Sequence, residues 1–569
     1  MSQLGYYEGK CAENNVSMFV EQNAEKFPER QVLKWVPRER IAAWSFNLDD
    51  PLRHDSLSMG EFAAAIRRVA AGFAGLGIQN GDRAIVFVPM SVSLYVAMSA
   101  LQRIGAIPVF LDSWARRGHL GASAEVVTPR ALISFQQAFQ LCTQVPQLDT
   151  IPLKISVGPM VQQVNAALEE LMRTPREAPV QPVEREQTAL VTFTTGSSGT
   201  PKGANRTHRF LAAQHYALKR CLPYQDDDVD LPLFPIFSLN NIATGVTTVI
   251  PAIDVGAPNE KDPLIVLAQL RACNVTTTTL SPSHFNAISA HCIATGSVLP
   301  LRRVVTGGAP ISRDNLVDFA RAAPEAEVWV LYGSTEVEPM AHIEAREMIG
   351  FRTRAMDDPE WVDDGVNVGH LDGGLQARFL AIHPEPIPAL KSDDEWKKLE
   401  VKRGEIGEVI VAGEHVCRDY YNNKEAFEKT KIVGPDGIVW HRTGDLGRLD
   451  ADGYLWIVGR VHNVIRRGGG LVYPVRAEIM LKKLPFVSMG AFLGMPDASL
   501  GERAVCVVVP NKDDTARHGD WEKEIHRIFA KHDIPVDRIV FRQEIPMDPR
   551  HHSKVEYDVL RKELLEAGV

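Results

Sequence analysis

The sequence predicts an α/β fold: a large N-terminal α/β domain over residues 1–458 and a smaller α+β domain over residues 459–569. Three observations predict it. The first is a strand–helix–strand signature. Arg83–Pro89 is a short apolar, β-branched run stopped by proline; Ser91 opens an apolar-rich helical stretch through Leu101; Pro108–Asp112 is a second strand. That spacing is a βαβ unit, which implies a buried parallel sheet. The second is recurrence. Similar strands are expected at Ala189–Phe193, Val275–Leu280, Arg303–Thr306 and Val328–Tyr332, several ending directly in Gly-, Ser- or Pro-rich loops. Ligands of open α/β sheets bind beyond the carboxyl ends of strands, so these loops are the places to look. The third is a change of texture near residue 380. His383–Arg403 holds three prolines and many charges and reads as a solvated surface insertion. Short strands follow at Glu405–Ala412 and Tyr454–Val458, then a strand at Ala504–Pro510 and a helix-like run at Trp521–His532. No repeat with a period of 20–50 residues is visible.

Composition bounds the function. A chain of 569 residues allows two to four domains of ~100–200 residues. With 45% hydrophobic and 23% charged residues the composition is ordinary for a globular protein, which excludes a wholly disordered, collagen-like or coiled-coil chain. The net charge of −9 lacks the basic footprint of a nucleic-acid binder. The seven cysteines are scattered and form no C-x-x-C pair, which argues against a disulfide framework or a zinc site and for a reducing, cytoplasmic setting. Met1–Glu8 does not read as a signal peptide, and no apolar run approaches the ~20 residues that span a bilayer.

The most informative stretch is Thr194-Thr195-Gly196-Ser197-Ser198-Gly199-Thr200-Pro201-Lys202-Gly203, directly after a predicted strand. Hydroxyl groups, backbone N–H donors and one lysine suit a loop that wraps a polyphosphate. It is not a P-loop, which needs Gly before the lysine and Ser or Thr after it; here Pro201 precedes and Gly203 follows. Gly196-Ser197-Ser198-Gly199 approaches a serine-hydrolase elbow without meeting its spacing.

This loop resembles the phosphate-binding loop of the adenylate-forming superfamily, which includes acyl-CoA synthetases, luciferases and nonribosomal-peptide adenylation domains. Further motifs follow in that family's order from about residue 15 to residue 565. Gly307-Gly308-Ala309-Pro310 resembles the adenine-pocket turn. Tyr332-Gly333-Ser334-Thr335-Glu336 resembles the motif in which, by that likeness, Tyr332 stacks on adenine, Thr335 bonds a phosphate and Glu336 helps hold Mg²⁺. An aromatic face suits a purine, and Mg²⁺ prefers carboxylate and phosphate oxygens. Taken alone, Thr335-Glu336 would more often open a helix. Leu233–Phe237 sits where the family has its acyl-gate segment, so Phe237, Ser238, Asn240 and Asn241 are candidates for the acyl-pocket wall, with core packing the rival role for Phe237.

Thr443-Gly444-Asp445 and Gly459-Arg460 resemble the next two motifs, with Asp445 on the ribose hydroxyls and Arg460 near ribose or phosphates. Lys554 resembles the catalytic lysine, which bridges the substrate carboxylate and the α-phosphate. The resemblance implies ATP, Mg²⁺ and CoA as cofactors and a carboxylic acid, fatty or otherwise apolar, as substrate. It places the active site between the two domains. An acyl carrier protein in place of CoA stays open.

The chain departs from the family pattern in places. His462 stands at the hinge position, Ser553 precedes Lys554 where glycine is usual, and Arg476 replaces an acid. His551 and His552 read as surface residues rather than metal ligands. Asp230–Pro235 and Arg550–Lys554 resemble the β-lactone synthetases of bacterial olefin synthesis, which close a β-hydroxy acid without CoA. Gly468-Gly469-Gly470 resembles instead the segment along which thioester-forming members pass the pantetheine arm, and Arg466, Arg467 and Arg476 are then candidates for CoA phosphates. The first expectation is an AMP-forming acid–CoA ligase; the alternatives are β-lactone closure and nucleotide binding without turnover.

Overall fold

The computed structural model describes residues 7–111, 117–161, 163–195, 201–255, 259–350, 365–512, 514–547 and 554–569. Its contacts divide the chain into two units. The first is Met1–Gly307 with Asp318–Met340 and Gly413–Lys429; the second is Gly308–Val317 with Ala341–Ala412 and Thr430–Val569.

Strands of the first unit are β1 (Gln31–Trp35), β2 (Asp55–Ser58), β3 (Arg83–Phe87), β4 (Ile107–Phe110), β5 (Ala131–Phe135), β6 (Leu153–Val157), β7 (Ala166–Ala167), β8 (Thr188–Thr195), β9 (Pro201–Thr207), β10 (Val229–Pro232), β11 (Thr247–Val249), β12 (Thr277–Leu280), β13 (Arg303–Gly307) and β14 (Glu327–Ser334). One sheet runs β7-β6-β5-β3-β4-β8-β9 and is parallel until β9 turns back antiparallel on β8. The other runs β14-β13-β12-β10-β11-β1-β2, parallel except at β2.

The expected βαβ unit is β3, the helix Val92–Arg103 and β4. Ser91 caps that helix by accepting from the Leu94 N–H at 3.2 Å. The helix Met59–Gly75 starts in a capping box: Ser58 Oγ accepts from Glu61 N–H, and the Glu61 carboxylate accepts from Ser58 N–H. Its Phe62, Ile66, Val69 and Phe73 bury into one core with Ala84, Val86, Leu94 and Ile133. Helices cover the parallel sheet because its strands are apolar on both faces.

The second unit holds β15 from Ala341 onward (Val337–Glu344 overall), β16 (Val366–Asn367), β17 (His370–Leu371), β18 (Leu375–Leu380), β19 (Gly407–Gly413), β20 (Lys431–Val433), β21 (Val439–Leu449) and β22 (Leu455–Arg460). Of these, β16-β22-β21-β19-β18 form one sheet, with β20 on β21. A further sheet runs β24 (Gly470–Val472), β23 (Ile465–Arg467), β26 (Gly501–Pro510), β25 (Val487–Asp497), with β27 (Arg538–Phe541) parallel to β26. Strand alternation splits its core. Phe492, Cys506 and Val508 pack under the helices Pro474–Lys483 and His518–Lys531; Leu493, Val505 and Val507 pack under the helix Tyr557–Glu566. Residue 459, the expected domain boundary, lies within β22.

One expectation is corrected. His383–Arg403 is not a wholly solvated insertion: Ile387, Leu390 and Trp396 join Leu380, Ile410, Ile432 and Trp440 in a core. The short helix Asp393–Leu399 turns its charges outward and buries Trp396, so composition hides its one apolar face.

Candidate active site

The phosphate-loop candidate sits on the β8–β9 hairpin. Thr194 pairs with Lys202 and Thr195 with Pro201. Gly196, Ser197, Ser198, Gly199 and Thr200 lie outside the described residues. A P-loop leads from strand into helix; here the chain returns as a strand, which excludes it. Lys202 is half-buried on β9. At Gly203 an added Cβ would meet Val191 at 2.9 Å, so packing against β8 requires glycine there.

Tyr332, Gly333 and Ser334 end β14, and Thr335-Glu336 is the turn into β15. Strand follows strand here, where Thr335-Glu336 taken alone would more often open a helix. Gly333 is required because a Cβ would lie 2.8 Å from the Val337 carbonyl. Two residues that no motif flags hold this turn. Arg206, from β9 and 3% exposed, donates from Nη2 to the Thr335 carbonyl at 2.8 Å. Tyr420 donates its hydroxyl to Glu336 Oε1 at 2.7 Å. They pass unnoticed in the sequence because Tyr420 lies 84 residues from its partner. The neighbouring Glu338 carboxyl is pushed up to about 7 by desolvation, with Arg206 pulling the other way.

Gly307 ends β13, where a Cβ would lie 2.2 Å from the Leu331 carbonyl of β14. Backbone crowding between neighbouring strands therefore demands this glycine. Gly308 follows at φ +81°, conformationally open to glycine, and leads to Ala309 and Pro310.

The acyl-wall candidates lie on the helix Pro235–Thr244, which opens with proline at its first turn. Phe237 is 3% exposed and packs with Leu218, Cys221, Leu222, Val305 and Leu331. Ser238, Asn240 and Asn241 are also buried. Asn241 donates to Asp230 Oδ2 at 2.7 Å, and Thr277 donates to Asp230 Oδ1 at 2.6 Å. Burial pushes the Asp230 carboxyl up, and these donors pull it back. His215 Nδ1 donates to Asn240 Oδ1 at 3.0 Å; burial pushes this imidazole down to about 4, so it is neutral. The amides of Asn240 and Asn241 thus tie their helix to its surroundings.

In the second unit Asp445 and Arg460 face each other across β21 and β22, with Arg460 Nη1 at 3.4 Å from Asp445 Oδ1. Arg460 also donates to the Thr443 carbonyl at 3.2 Å. His462 lies on the 3₁₀ turn Val461–Asn463, its pKa lowered by desolvation and by Arg460. Gly468 and Gly469, at φ +58° and +80°, form the two-residue turn between β23 and β24. Two positive φ values in a tight hairpin are the primed turn that glycine suits. Arg467 grips Asp537 with two bonds, at 2.8 and 2.6 Å, and Arg476 donates to the His532 carbonyl. Lys554 is exposed, just before the helix Tyr557–Glu566. His551, His552 and Ser553 lie outside the described residues.

A family model described as AMP-binding enzyme matches residues 20–421, more than half of the chain. The chain belongs to the AMP-binding enzyme family. It is thus an adenylate-forming ligase. Among curated relatives this ligase is similar to two olefin β-lactone synthetases. One, from Xanthomonas campestris pv. campestris, is 30% identical over 88% of this chain and 89% of its own. The other, from Stenotrophomonas maltophilia, is 29% identical over 86% and 87%. It is also similar to 4-coumarate–CoA ligase 5 of Oryza sativa subsp. japonica, 27% identical over 86% and 88%. Among solved structures, ATP-bound MatB from Rhodopseudomonas palustris superposes with a TM-score of 0.76 at 20% identity, covering 97% of this chain and 99% of its own. The two-part α/β architecture is therefore that of adenylate-forming enzymes. No helix among the described residues is long and apolar enough to cross a membrane.

Proposed function

We propose that this ligase uses ATP and Mg²⁺ to adenylate a β-hydroxy carboxylic acid and closes the adenylate to a β-lactone without CoA. The likeness to two olefin β-lactone synthetases over 86–88% of the chain carries this reading. A carboxylate oxygen attacks the α-phosphorus and pyrophosphate leaves. The β-hydroxyl oxygen then attacks the acyl carbonyl, AMP leaves with the bonding electrons, and the hydroxyl proton passes to base.

The roles of the residues follow the motif likeness. Thr194–Thr200 and Lys202 surround the phosphates, with Thr335 bonding one of them. Tyr332 stacks on adenine, and Gly307–Pro310 is the adenine-pocket turn. Asp445 accepts from the ribose hydroxyls, beside Arg460. Lys554 meets the negative charge that builds at phosphorus, where one such donor is worth ~10²–10³ in rate. Phe237, Ser238, Asn240 and Asn241 stand behind the acyl chain. The Glu336 carboxylate and the hydroxyls around it are hard oxygen donors, which suit Mg²⁺. When bound, Mg²⁺ neutralises polyphosphate charge. The mobile C-terminal domain is residues 459–569.

A second observation supports a reaction without CoA. Arg467, one of the three arginines expected on CoA phosphates, is engaged with Asp537 within its own unit. The acid–CoA ligase, the first expectation from sequence, ranks second; the exposed Gly468-Gly469 turn and the coumarate–CoA ligase likeness favour it.

The test is mass spectrometry of products from ATP, Mg²⁺ and a panel of fatty and β-hydroxy acids, each with and without CoA. The expected product is one water lighter than its β-hydroxy acid, forms without CoA, and shows a lactone carbonyl by infrared spectroscopy. A product that appears only with CoA, as its thioester, overturns the proposal. Accumulated acyl-adenylate with neither product points to an acyl carrier protein as the acceptor.

A further inference from the structure

Tyr420 stands on a short segment that is stitched to both halves of the phosphate-facing candidate site. On one side, Val416 bridges Val337, and Cys417 N–H donates to the Glu336 carbonyl at 2.7 Å. On the other, Asn205 N–H donates to the Asp419 carbonyl at 3.1 Å, Ala204 bridges Tyr420, and Tyr421 N–H donates to the Gly203 carbonyl at 2.8 Å. Gly203 is the immediate neighbour of Lys202. Residues 416–421 therefore tie the strand that carries Lys202 to the turn that carries Glu336.

The side chain adds the decisive contact. Tyr420 is 2% exposed, and its hydroxyl donates to Glu336 Oε1 at 2.7 Å. A carboxylate oxygen that accepts one hydrogen bond keeps a second lone pair for a cation. The phenol thus restricts the carboxylate's rotation without consuming its capacity to bind metal. Arg206 fixes the preceding carbonyl, so the turn is braced on the backbone and on the side chain alike.

We propose that Tyr420 is a positioning residue for the Glu336 carboxylate, setting the affinity of this enzyme for the divalent cation that accompanies ATP. This rests on the reading that Glu336 holds that cation. Hydrogen bonds to ligating side chains fix their orientation, and losing one typically costs ~10–100-fold in metal affinity. Tyr420→Phe keeps the buried ring and removes only the donor.

The experiment titrates Mn²⁺ into the full chain with ATP, following free Mn²⁺ by electron paramagnetic resonance. It measures the Mg²⁺ dependence of acid-dependent ATP–pyrophosphate exchange in parallel. Four proteins are compared: wild type, Tyr420→Phe, Glu336→Gln and the double variant. Tyr420→Phe is expected to raise the half-saturating Mn²⁺ about 10-fold, to recover exchange at high Mg²⁺, and to add nothing further in the Glu336→Gln background. Unchanged Mn²⁺ affinity in Tyr420→Phe overturns the proposal, as does an effect of equal size without Glu336. Loss of exchange that excess Mg²⁺ fails to restore marks a purely structural role and also overturns it. If Glu336→Gln itself binds Mn²⁺ as wild type does, the assignment of Glu336 as metal ligand fails, and the Tyr420 proposal with it.

Discussion

The candidate residues of the first unit and those of the second are held in opposite ways. In the first, Thr335 and Glu336 are braced by Arg206 and Tyr420, and Phe237, Asn240 and Asn241 are buried and bonded. In the second, Lys554, Gly468 and Gly469 are exposed, and Arg460 has half of its side chain in solvent. Burial couples function to stability, because removing an interior group leaves a cavity or an orphaned partner. Exposure separates them. Substitutions at the buried first-unit residues should therefore disturb folding and activity together, and substitution of exposed Lys554 in the second should disturb activity alone.

The largest expected effect sits in the first unit. Phe237→Ala should cost about 3–5 kcal/mol in urea unfolding, the cost of emptying a phenylalanine site in a packed core. A loss under about 1 kcal/mol would show that the ring borders open space.

Lys554→Ala should lower acid-dependent pyrophosphate exchange by ~10²–10³ while leaving the melting temperature unchanged. Unchanged exchange would remove Lys554 from the mechanism. A large drop in melting temperature would break the contrast between the two units instead.

A pH series sharpens the comparison. His208 is buried, accepts from Val16 N–H at Nδ1, and is pushed down to about 3 by desolvation. The unfolded chain binds this proton below about pH 6.5 and the folded chain does not. Stability should therefore be full above about pH 6.5 and fall as pH drops toward 3, with a slope approaching 1.4 kcal/mol per pH unit from this group. His208→Gln should flatten that slope between pH 4 and 6; an unchanged slope would show that other groups dominate acid unfolding.

The smallest effect belongs to the second unit. Arg467→Ala removes a partly exposed ion pair with Asp537 and should cost under about 1 kcal/mol. Lactone formation should proceed at the wild-type rate. A CoA-dependent product whose apparent KM for CoA rises in this variant would support the thioester reading.

Much of the fold was legible. The run Arg83–Pro89, the cap at Ser91 and the strand after it became β3, the helix Val92–Arg103 and β4, because local propensity and burial agree there. Elsewhere they compete. His383–Arg403 looked solvated because its charges outnumber its core residues, yet Trp396 faces inward. Thr335-Glu336 in isolation favours a helix start, but the pairing of β14 and β15 with their neighbours overrides that local signal. Gly307 and Gly333 were singled out as glycines; that an added Cβ would lie 2.2 and 2.8 Å from neighbouring carbonyls, which demands them, is visible only in three dimensions.

Sequence by itself determined the chemical class, since residue types, their spacing and their order along the chain are one-dimensional facts. The α/β alternation, the hydroxyl-rich loop ending in Lys202, and the acids and lysine at Glu336, Asp445 and Lys554 were all readable there. Only tertiary structure decided what holds those residues. Arg206 and Tyr420 reach the Thr335–Glu336 turn across 129 and 84 residues of chain, and Arg467 finds Asp537 across 70. Such contacts carry no local signature, because their energy depends on geometry that forms only when distant strands pair.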